Sequence, residues 1–377
     1  MAIGMQIGAP KEIKDNEYRV GLIPAIVREL TARGHRVIVE TKAGAGAGIS
    51  DDEYVKAGAE IASSADQIYE RAELIVKVKE PLAAERSRLR RGQVLFTYLH
   101  LAPDLEQTKD LLTSGVTAIA YETVMDAQGK LPLLKPMSEV AGRMAVQVGA
   151  QYLERPYGGR GILLGGAEGV TPAKVFIIGA GVVGTNAALI AIGMKADVTV
   201  TAAGPASLRA VTQRFGQGAR TIASTPETIA AQCRGADLVI ATALVPGAAA
   251  PKLISRAMVK TMMPGSVIVD VSIDQGGNAE TSRPTTHSQP TFVVDGVIHY
   301  CVTNIPGAVP RTSTFALNNA TRPFILALAD KGYRRALADD VQLRNGLNVS
   351  GGMVTCRAVA EALNLTYTPV ENVLGGQ

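Results

Sequence analysis

A glycine-rich turn between an apolar run and an alanine-rich segment constrains the fold of this chain more than any other feature. Residues 175–178 are bulky and apolar without alternation, and they lead into a Gly-x-Gly-x-x-Gly motif at Gly179, Gly181 and Gly184. Such a run predicts a strand buried on both faces, and the proline-free residues 185–194 predict a helix. A strand, a glycine turn and a helix in this order are typical of dinucleotide-binding domains.

Each glycine of the motif has its own expected part in holding a dinucleotide. Gly179 would allow the tight turn, Gly181 would let a pyrophosphate approach the backbone, and Gly184 would let the helix pack closely on the strand. The free N–H groups at the start of the helix would then bind the phosphates. An ordinary tight turn between a strand and a helix is the alternative interpretation of the same residues.

One expected part of such a site is missing from the sequence. In dinucleotide-binding folds an Asp or Glu usually ends the second strand, roughly 20 residues after the glycine motif, and binds the adenosine ribose. Here the second predicted strand, residues 197–201, runs into Ala202, Ala203, Gly204 and Pro205. No acidic residue stands at its end.

Length and composition restrict the classes of protein to which the chain can belong. Its 377 residues suit two domains. The net charge of +4 is spread without a long basic run, which argues against a nucleic-acid partner. Three scattered cysteines, Cys233, Cys301 and Cys356, indicate neither a metal site nor a disulfide framework. Because the sequence also shows no signal peptide and no long apolar span, we expect a cytoplasmic protein.

The alternation of predicted strands and helices indicates an α/β fold with two Rossmann-like, doubly wound domains. A long amphipathic helix is predicted to begin near Ser138, with Ser138 as its N-cap, and to bridge the domains. A second long helix, residues 313–331 interrupted by Pro323, is predicted to return the chain to the first domain. We therefore expect a substrate domain (1–137 and 311–377), a dinucleotide-binding domain (138–310), two long connecting helices and a cleft between the domains.

Four polar residues lie in loops near the ends of predicted strands, where open α/β sheets bind their ligands. They are Arg19, Lys79, His100 and Asp274. A hydride-transfer enzyme for α-keto or α-amino acids needs a cation for the carboxylate, a donor for the carbonyl and an acid/base near neutrality. A carboxylate also helps with an ammonium or iminium charge. Each residue has a structural alternative: a solvated cation for Arg19 or Lys79, a core histidine for His100, a turn-forming aspartate for Asp274.

At these residues the sequence resembles the alanine dehydrogenase family, over about residues 5–370. The resemblance rests on residues 8–13 with 17–20, 76–81, 95–102, 136–138, 179–184, 270–277 and 304–310. It implies a two-domain enzyme, usually a homohexamer, that interconverts L-alanine with pyruvate and ammonia using NAD. The implied reaction path runs through iminopyruvate and a carbinolamine.

The resemblance also implies roles for individual residues. Arg19 and Lys79 would hold the pyruvate carboxylate and carbonyl, His100 would be the acid/base, and Asp274 would be the second catalytic group. No metal ligand is implied. The implied cofactor contacts are Ser138, Gly179, Gly181, Val182, Val183, Gly184, Ala202, Ser207, Ser224, Ala243, Leu244, Val271, Ile273, Asp274, Arg283, Val302, Asn304 and Ile305.

The sequence departs from the family pattern at the ribose acid. The family usually has Asp where Ala202 stands and often Lys where Ser207 stands. Loss of the carboxylate removes both the hydrogen bond to the 2′-hydroxyl and the charge that repels a 2′-phosphate. We therefore hypothesise a weakened preference for NAD and some acceptance of NADP, with Thr201, Ser207 and Arg209 as nearby groups for the phosphate. No Arg directly follows the strand, so the sequence does not indicate a dedicated NADP site.

Three other functions fit much of the same sequence. The nucleotide-binding subunit of proton-translocating transhydrogenase shares the fold but has no amino-acid site, so it has no catalytic need for His100 or Asp274. A related opine- or lysine-forming dehydrogenase would act on a larger substrate. A non-catalytic nucleotide-binding protein would bind the cofactor without turnover.

Overall fold

The computed structural model describes residues 4–244 and 249–375 of the chain. The chain divides into two compact units. The first unit extends to Met137 and resumes at Val309, and the second unit is Ser138–Ala308.

Strands and helices alternate through most of the described residues. The strands are β1 Gln6–Ala9, β2 Arg36–Glu40, β3 Glu60–Ala62, β4 Leu74–Val76, β5 Val94–Thr97, β6 Thr117–Ala120, β7 Lys174–Ile178, β8 Asp197–Ala202, β9 Arg220–Ala223, β10 Leu238–Ala241, β11 Val267–Asp270, β12 Thr291–Val294, β13 Val297–Tyr300, β14 Leu347–Ser350 and β15 Met353–Val354. The helices are α1 Pro24–Ala32, α2 Asp51–Lys56, α3 Ala65–Arg71, α4 Ala83–Arg86, α5 Leu105–Ser114, α6 Lys135–Tyr152, α7 Val182–Gly193, α8 Pro205–Phe215, α9 Pro226–Gly235, α10 Arg256–Thr261, α11 Pro310–Asp339, α12 Val341–Asn345, α13 Arg357–Leu363 and α14 Val370–Leu374.

The sheet of the first unit has eight strands in the order β15-β14-β6-β5-β4-β1-β2-β3. Strands β1 to β6 pair in parallel, whereas β14 pairs antiparallel with both β6 and β15. The parallel strands therefore follow the Rossmann order, and the direction of winding reverses between β1 and β4. Ligands of such sheets bind beyond the carboxyl ends of the strands at this reversal.

Close packing of a helix on this sheet depends on a glycine in β1. A Cβ atom at Gly8 would lie 2.7 Å from the Ala72 Cβ and 2.7 Å from the Ile68 Cγ2. Leu74, Ile75 and Val76 of the neighbouring β4 are all fully buried. The unbroken apolar pattern of the strand therefore reflects burial on both faces, as expected for a parallel sheet covered by helices.

The sheet of the second unit has seven strands in the order β12-β13-β11-β10-β7-β8-β9. All pairs are parallel except β12 with β13. The parallel strands again follow the Rossmann order, with the reversal between β7 and β10, where Ile178 is in register with Ala241. The predicted α/β fold with two Rossmann-like sheets is confirmed.

Two details of the long helices differ from the sequence predictions. Ser138 is not an N-cap, because α6 begins at Lys135 and includes Pro136, a residue suited to the first turn of a helix. Pro323 does not interrupt α11; the helical geometry is broken instead at Gly332, with φ 69° and ψ 157°. Glycine adopts that left-handed conformation without the steric penalty of a side chain.

Candidate active site

Arg19 lies in the loop after β1 and is almost completely buried. Its Nε donates to Glu17 Oε1 at 2.7 Å, its Nη2 donates to Glu17 Oε2 at 2.6 Å, and its Nη1 lies 3.0 Å from the Met137 Sδ. Burial disfavours the charged guanidinium, but the Glu17 carboxylate outweighs burial and raises the pKa of Arg19. Arg19 is therefore a fixed, permanently charged group rather than the solvated surface cation of the alternative interpretation.

Lys79 follows β4, the neighbour of β1 in the sheet. Its side chain is only 14% exposed, and its Nζ lies 3.8 Å from Glu80 Oε2. Glu12 Oε1 accepts hydrogen bonds from the Val78 N–H at 2.7 Å and the Lys79 N–H at 3.4 Å. Because Glu12 belongs to the loop after β1, this carboxylate ties the loop that carries Arg19 to the segment that carries Lys79.

Lys77, two residues before Lys79, belongs to a buried ion cluster. The Lys77 Nζ donates to Glu12 Oε2 at 3.0 Å and to Glu85 Oε1 at 2.6 Å. Glu85 Oε1 also accepts from the Tyr69 hydroxyl at 3.1 Å. Burial disfavours the Lys77 ammonium, but its carboxylate partners raise its pKa; burial likewise raises the pKa of Glu12 despite the attraction of Lys77. The ammonium of Lys77 and the carboxylate of Glu12 therefore each favour the charged form of the other.

His100 follows β5 and has an unusual backbone conformation. Its φ is +49°, in the left-handed region, and its N–H donates to Glu122 Oε1 at 2.6 Å. Its exposed ring is nearly parallel to the ring of Tyr98, with centroids 5.9 Å apart. Tyr98 is itself buried and donates to the Leu133 carbonyl at 2.6 Å. His100 is therefore an accessible histidine on a fixed support and not a core residue.

The three residues follow strands that are adjacent in the sheet order, β1, β4 and β5. Parallel strands present their carboxyl ends at one edge, so Arg19, Lys79 and His100 belong to the same edge of the first unit. That edge offers a buried guanidinium, a partly buried ammonium and an exposed imidazole, the groups that bind a carboxylate, a carbonyl and a proton.

The glycine motif of the second unit has the geometry that dinucleotide binding requires. Gly179 has φ +111°, and a Cβ at Gly184 would lie 1.9 Å from the Gly179 carbonyl oxygen. A Cβ at Gly181 would meet no atom within 4 Å. Gly179 and Gly184 therefore serve the turn and the packing of α7, while Gly181 is open to a ligand. Gly181 is also the N-cap of α7 and offers no side chain to its first N–H groups, so the motif fits a pyrophosphate.

The ribose end of this site lacks an acidic group. Strand β8 ends at Ala202, and the sequence contains no Asp or Glu between Asp197 and Glu227. Ser207 and Arg209 are exposed on α8. Thr201, by contrast, is fully buried, so of the three groups considered for a 2′-phosphate only Ser207 and Arg209 reach solvent.

Asp274 lies in a single 3₁₀ turn, Val271–Gln275, that follows β11 and also contains Ile273. The Asp274 side chain is exposed, and Gly276 and Gly277 close the turn with φ values of 96° and 78°. Beneath the turn, the fully buried Asp270 accepts through Oδ2 from the Asn278 N–H at 2.7 Å and the Ser282 hydroxyl at 2.6 Å. Asp270 therefore organises the loop that presents Asp274.

Asn278 connects this loop to another predicted cofactor segment. Its Oδ1 accepts from the Ala243 N–H at 2.9 Å, and its Nδ2 donates at 2.9 Å to the carbonyls of Ala243 and Pro251. The exposed Leu244 follows Ala243, just beyond β10. The segment after β10 and the loop after β11 are thus joined through one buried amide.

The remaining predicted cofactor residues lie in the second unit. Ser138 is in the first turn of α6, Ser224 follows β9, and Val302, Asn304 and Ile305 follow β13. The Arg283 guanidinium stacks on the Phe292 ring at 4.3 Å from its centroid. Ser224 and the segment after β13 therefore share the carboxyl edge of the second sheet with the glycine motif and Asp274.

Sequence reasoning missed the residues that support these groups. The available signal was their position in loops after strands: Glu12 and Glu17 precede Arg19 in one loop, and Glu122 follows β6 as His100 follows β5. The residues missed are Glu12, Glu17, Lys77, Glu85, Tyr98, Glu122, Met137, Asp270 and Asn278.

Two family models match nearly the whole chain. The model for the N-terminal domain of "Alanine dehydrogenase/PNT" matches residues 8–141, and the model for the C-terminal domain matches residues 145–357. The chain belongs to the alanine dehydrogenase/PNT family. The resemblance stated from the sequence is thereby confirmed.

Individual members of the alanine dehydrogenase/PNT family are similar over their full length. "Alanine dehydrogenase" of Halomonas elongata is 56% identical, with 98% of this chain and 100% of that protein covered. The enzyme of the same name from Bacillus subtilis is 55% identical, with 98% of each chain covered. A solved structure of L-alanine dehydrogenase has a TM-score of 0.93 at 50% identity, covering 96% of this chain and 99% of that one.

A transhydrogenase structure from Sinorhizobium meliloti is more distant. Its TM-score is 0.81 at 29% identity, covering 93% of this chain and 100% of that one. Membership of the alanine dehydrogenase/PNT family, together with the glycine motif, supports a nicotinamide cofactor. None of the described helices combines the length and apolar character that a membrane-spanning helix requires.

Proposed function

We propose that this chain is an L-alanine dehydrogenase that interconverts L-alanine with pyruvate and ammonia through hydride transfer. The observation that carries the proposal is the set of Arg19, Lys79 and His100 after three adjacent strands of one sheet. Full-length identity of 50–56% to several proteins named alanine dehydrogenase supports the same activity. The small-molecule partners would be L-alanine, pyruvate and ammonia.

Each substrate group has a counterpart in the first unit. Arg19 would bind the pyruvate carboxylate with its fixed charge, and Lys79 would donate to the carbonyl oxygen. In the direction of amination, His100 would donate a proton to the hydroxyl that leaves the carbinolamine as water. In deamination it would take a proton from the water that attacks iminopyruvate. The nicotinamide, when bound, supplies or accepts the hydride at the substrate Cα.

The second unit would hold the cofactor and provide the second catalytic group, Asp274. Its carboxylate can stabilise the ammonium or iminium charge that develops on the substrate. The residues proposed to contact the dinucleotide are those predicted from the sequence, from Ser138 and the glycine motif to the segment after β13. Under this proposal the first unit is the substrate domain and the second is the dinucleotide-binding domain.

Turnover assays test the proposed function directly. With pyruvate, ammonium and NADH, we expect oxidation of NADH that depends on all three; absence of turnover at high ammonium would refute the proposal. His100→Ala and Asp274→Asn should each slow the chemical step to a small residual rate while NADH still binds. If either variant keeps near-normal turnover, the role proposed for that residue is wrong.

A nucleotide-binding subunit of the transhydrogenase type is the second candidate, favoured by the TM-score of 0.81 to the transhydrogenase structure. Such a subunit would bind NADH but would not oxidise it with pyruvate and ammonium, so the same assay separates the two functions. A related amino-acid or opine dehydrogenase would show turnover only when a larger 2-oxo acid replaces pyruvate or an amino acid replaces ammonia.

For assembly and location we propose a homohexamer in the cytoplasm. Family membership supports the hexamer, and the three free cysteines fit a reducing compartment. Light scattering of the purified protein would measure the assembly, and a mass of one or two subunits would contradict the hexamer.

A further inference from the structure

The backbone of His100 is held in a conformation that most residues avoid. Its φ of +49° lies in the left-handed region, which is strained for a residue with a Cβ. Such strain persists only where the surrounding structure enforces it, and it is concentrated at functional sites. Neighbouring groups must therefore hold His100 in this state.

Side chains clamp the peptide group between Leu99 and His100 from both ends. Glu122 Oε1 accepts from the His100 N–H at 2.6 Å, and the Gln107 Nε2 donates to the Leu99 carbonyl at 2.7 Å. The dihedral angle φ of His100 describes how this peptide plane is rotated about the N–Cα bond relative to the rest of the residue. Fixing both its N–H and its carbonyl therefore prevents the plane from flipping to relieve the strain.

Glu122 controls the clamp more directly than Gln107. Its carboxylate also accepts from the Leu99 N–H at 3.2 Å, so it holds two successive amides. It lies in a 3₁₀ turn, Tyr121–Thr123, directly after β6, whose Ala120 is in register with Thr97 at the end of β5. The sheet thus places the carboxylate beside the chain that leaves β5.

We propose that Glu122 is a positioning residue that fixes the His100 backbone, and through it the imidazole, for proton transfer. This inference rests on the proposed function, in which His100 is the acid/base. Glu122 accepts hydrogen bonds from the backbone N–H groups of Leu99 and His100, so its proposed contribution is geometric. The parallel arrangement of the His100 and Tyr98 rings, 8° apart in plane, depends on that backbone.

Two conservative variants separate the effect of the side-chain length of Glu122 from the effect of its charge. Glu122→Gln keeps an oxygen at the Oε1 position, which accepts from both amides, but removes the charge and exchanges Oε2, which also accepts from the Leu99 N–H, for an amide nitrogen. Glu122→Asp keeps the charge but withdraws the carboxylate by about 1.5 Å, one C–C bond. We expect Gln to retain kcat within a few-fold, whereas Asp lowers kcat about 100-fold, as a misplacement of about 1 Å does in other active sites. KM for pyruvate should change little in both.

A double variant distinguishes positioning from a general structural effect. Glu122→Asp introduced into His100→Ala should cause no further loss of residual turnover, because the group that it positions is absent. A loss of the same size in both backgrounds would overturn the proposal, as would a Gln variant slower than the Asp variant.

Crystal structures of the two variants test the contact independently of turnover. We expect φ of His100 to remain near the wild-type value in Glu122→Gln and to leave the left-handed region in Glu122→Asp. An unchanged φ in Glu122→Asp would overturn the positioning role even if the wild-type protein oxidises NADH. Conversely, if the wild type shows no turnover while φ of His100 responds as expected, the proposed function is wrong, but the role of Glu122 in fixing the His100 backbone is supported.

Discussion

Glu17 holds the guanidinium of Arg19 through a bidentate pair, with Nε to Oε1 at 2.7 Å and Nη2 to Oε2 at 2.6 Å. Both side chains are buried, at 2% exposure or less. The chain offers a close counterpart at the surface, where Arg71 binds Glu60 through two contacts of 2.6 Å. The two pairs have the same chemistry and differ in burial. Comparing them therefore shows how burial changes the loss of unfolding free energy when one partner is removed.

Glu17→Ala should therefore destabilise the protein far more than Glu60→Ala. Removing one partner of a buried ion pair costs about 3–5 kcal/mol, because the remaining charge loses its counter-charge in a medium of low polarity. An exposed pair contributes less than about 1 kcal/mol. Urea unfolding of both variants checks this expectation, and equal losses of unfolding free energy would contradict it.

The Lys77 cluster predicts a pH-dependent loss of stability. In Lys77→Met, Glu12 stays buried without its cation, so its pKa in the folded state rises further above the ordinary value of 4.5. A carboxyl whose pKa is raised on folding destabilises the protein as pH rises from the unfolded pKa to the folded pKa. We expect a loss of about 3–5 kcal/mol at neutral pH and a smaller loss near pH 5.

Unfolding experiments between about pH 5 and pH 8 would measure this effect. The double variant Lys77→Met/Glu12→Gln serves as the control, since it lacks the Glu12 carboxyl and leaves Glu85 as the remaining carboxylate partner of Lys77. Its loss of stability relative to the wild type should vary less with pH than that of Lys77→Met. If the loss of stability in Lys77→Met does not depend on pH, ionisation of the Glu12 carboxyl is not its cause.

Local patterns were sufficient to predict the glycine motif and the apolar inner strands of the sheets, but not β3, β9, β12, β13, β14 or β15. A strand buried on both faces must be apolar at successive positions, as Val175 and Ile177 illustrate, and the left-handed turn at Gly179 excludes other residues. The positions of Arg19, Lys79 and His100 after strands were also visible, because parallel sheets bind ligands at the carboxyl ends of their strands.

Most of the supporting contacts could not be predicted because they join residues that are distant in the sequence. Lys77 and Glu12 are separated by 65 positions, and Ala243 and Asn278 by 35. No local periodicity encodes such pairs. The helix predictions were wrong at Ser138 and Pro323 for a related reason. The preference of Ser for the N-cap is modest, and the packing of α11 outweighs even the cost of about 3 kcal/mol of a proline inside a helix.

The hydrogen bonds of Asn278 join the segment after β10 to the loop that carries Asp274, so we predict that they contribute to cofactor affinity. Asn278→Ala removes the hydrogen bonds to Ala243 and Pro251, at a cost of about 1–3 kcal/mol for each buried group left without a partner. We expect NADH to bind about tenfold more weakly, measured by fluorescence titration. Asn345→Ala is a suitable control, because Asn345 is exposed and donates to the Met125 carbonyl at 2.9 Å. Equal affinities in the two variants would contradict the link.

Cofactor preference should depend on Ala202, the last residue of β8. We expect the wild type to accept NADPH with at least about one hundredth of its efficiency with NADH, a discrimination of no more than about 2.8 kcal/mol. Ala202→Asp should shift the preference towards NADH by tenfold or more, on the order of 1.4 kcal/mol, because a carboxylate binds the 2′-hydroxyl and repels a 2′-phosphate. Ala202→Asn, of similar size but uncharged, should leave more of the NADPH activity. Steady-state kinetics with both cofactors would measure these efficiencies. In the wild type, an efficiency with NADPH below about one hundredth of that with NADH would refute the hypothesis.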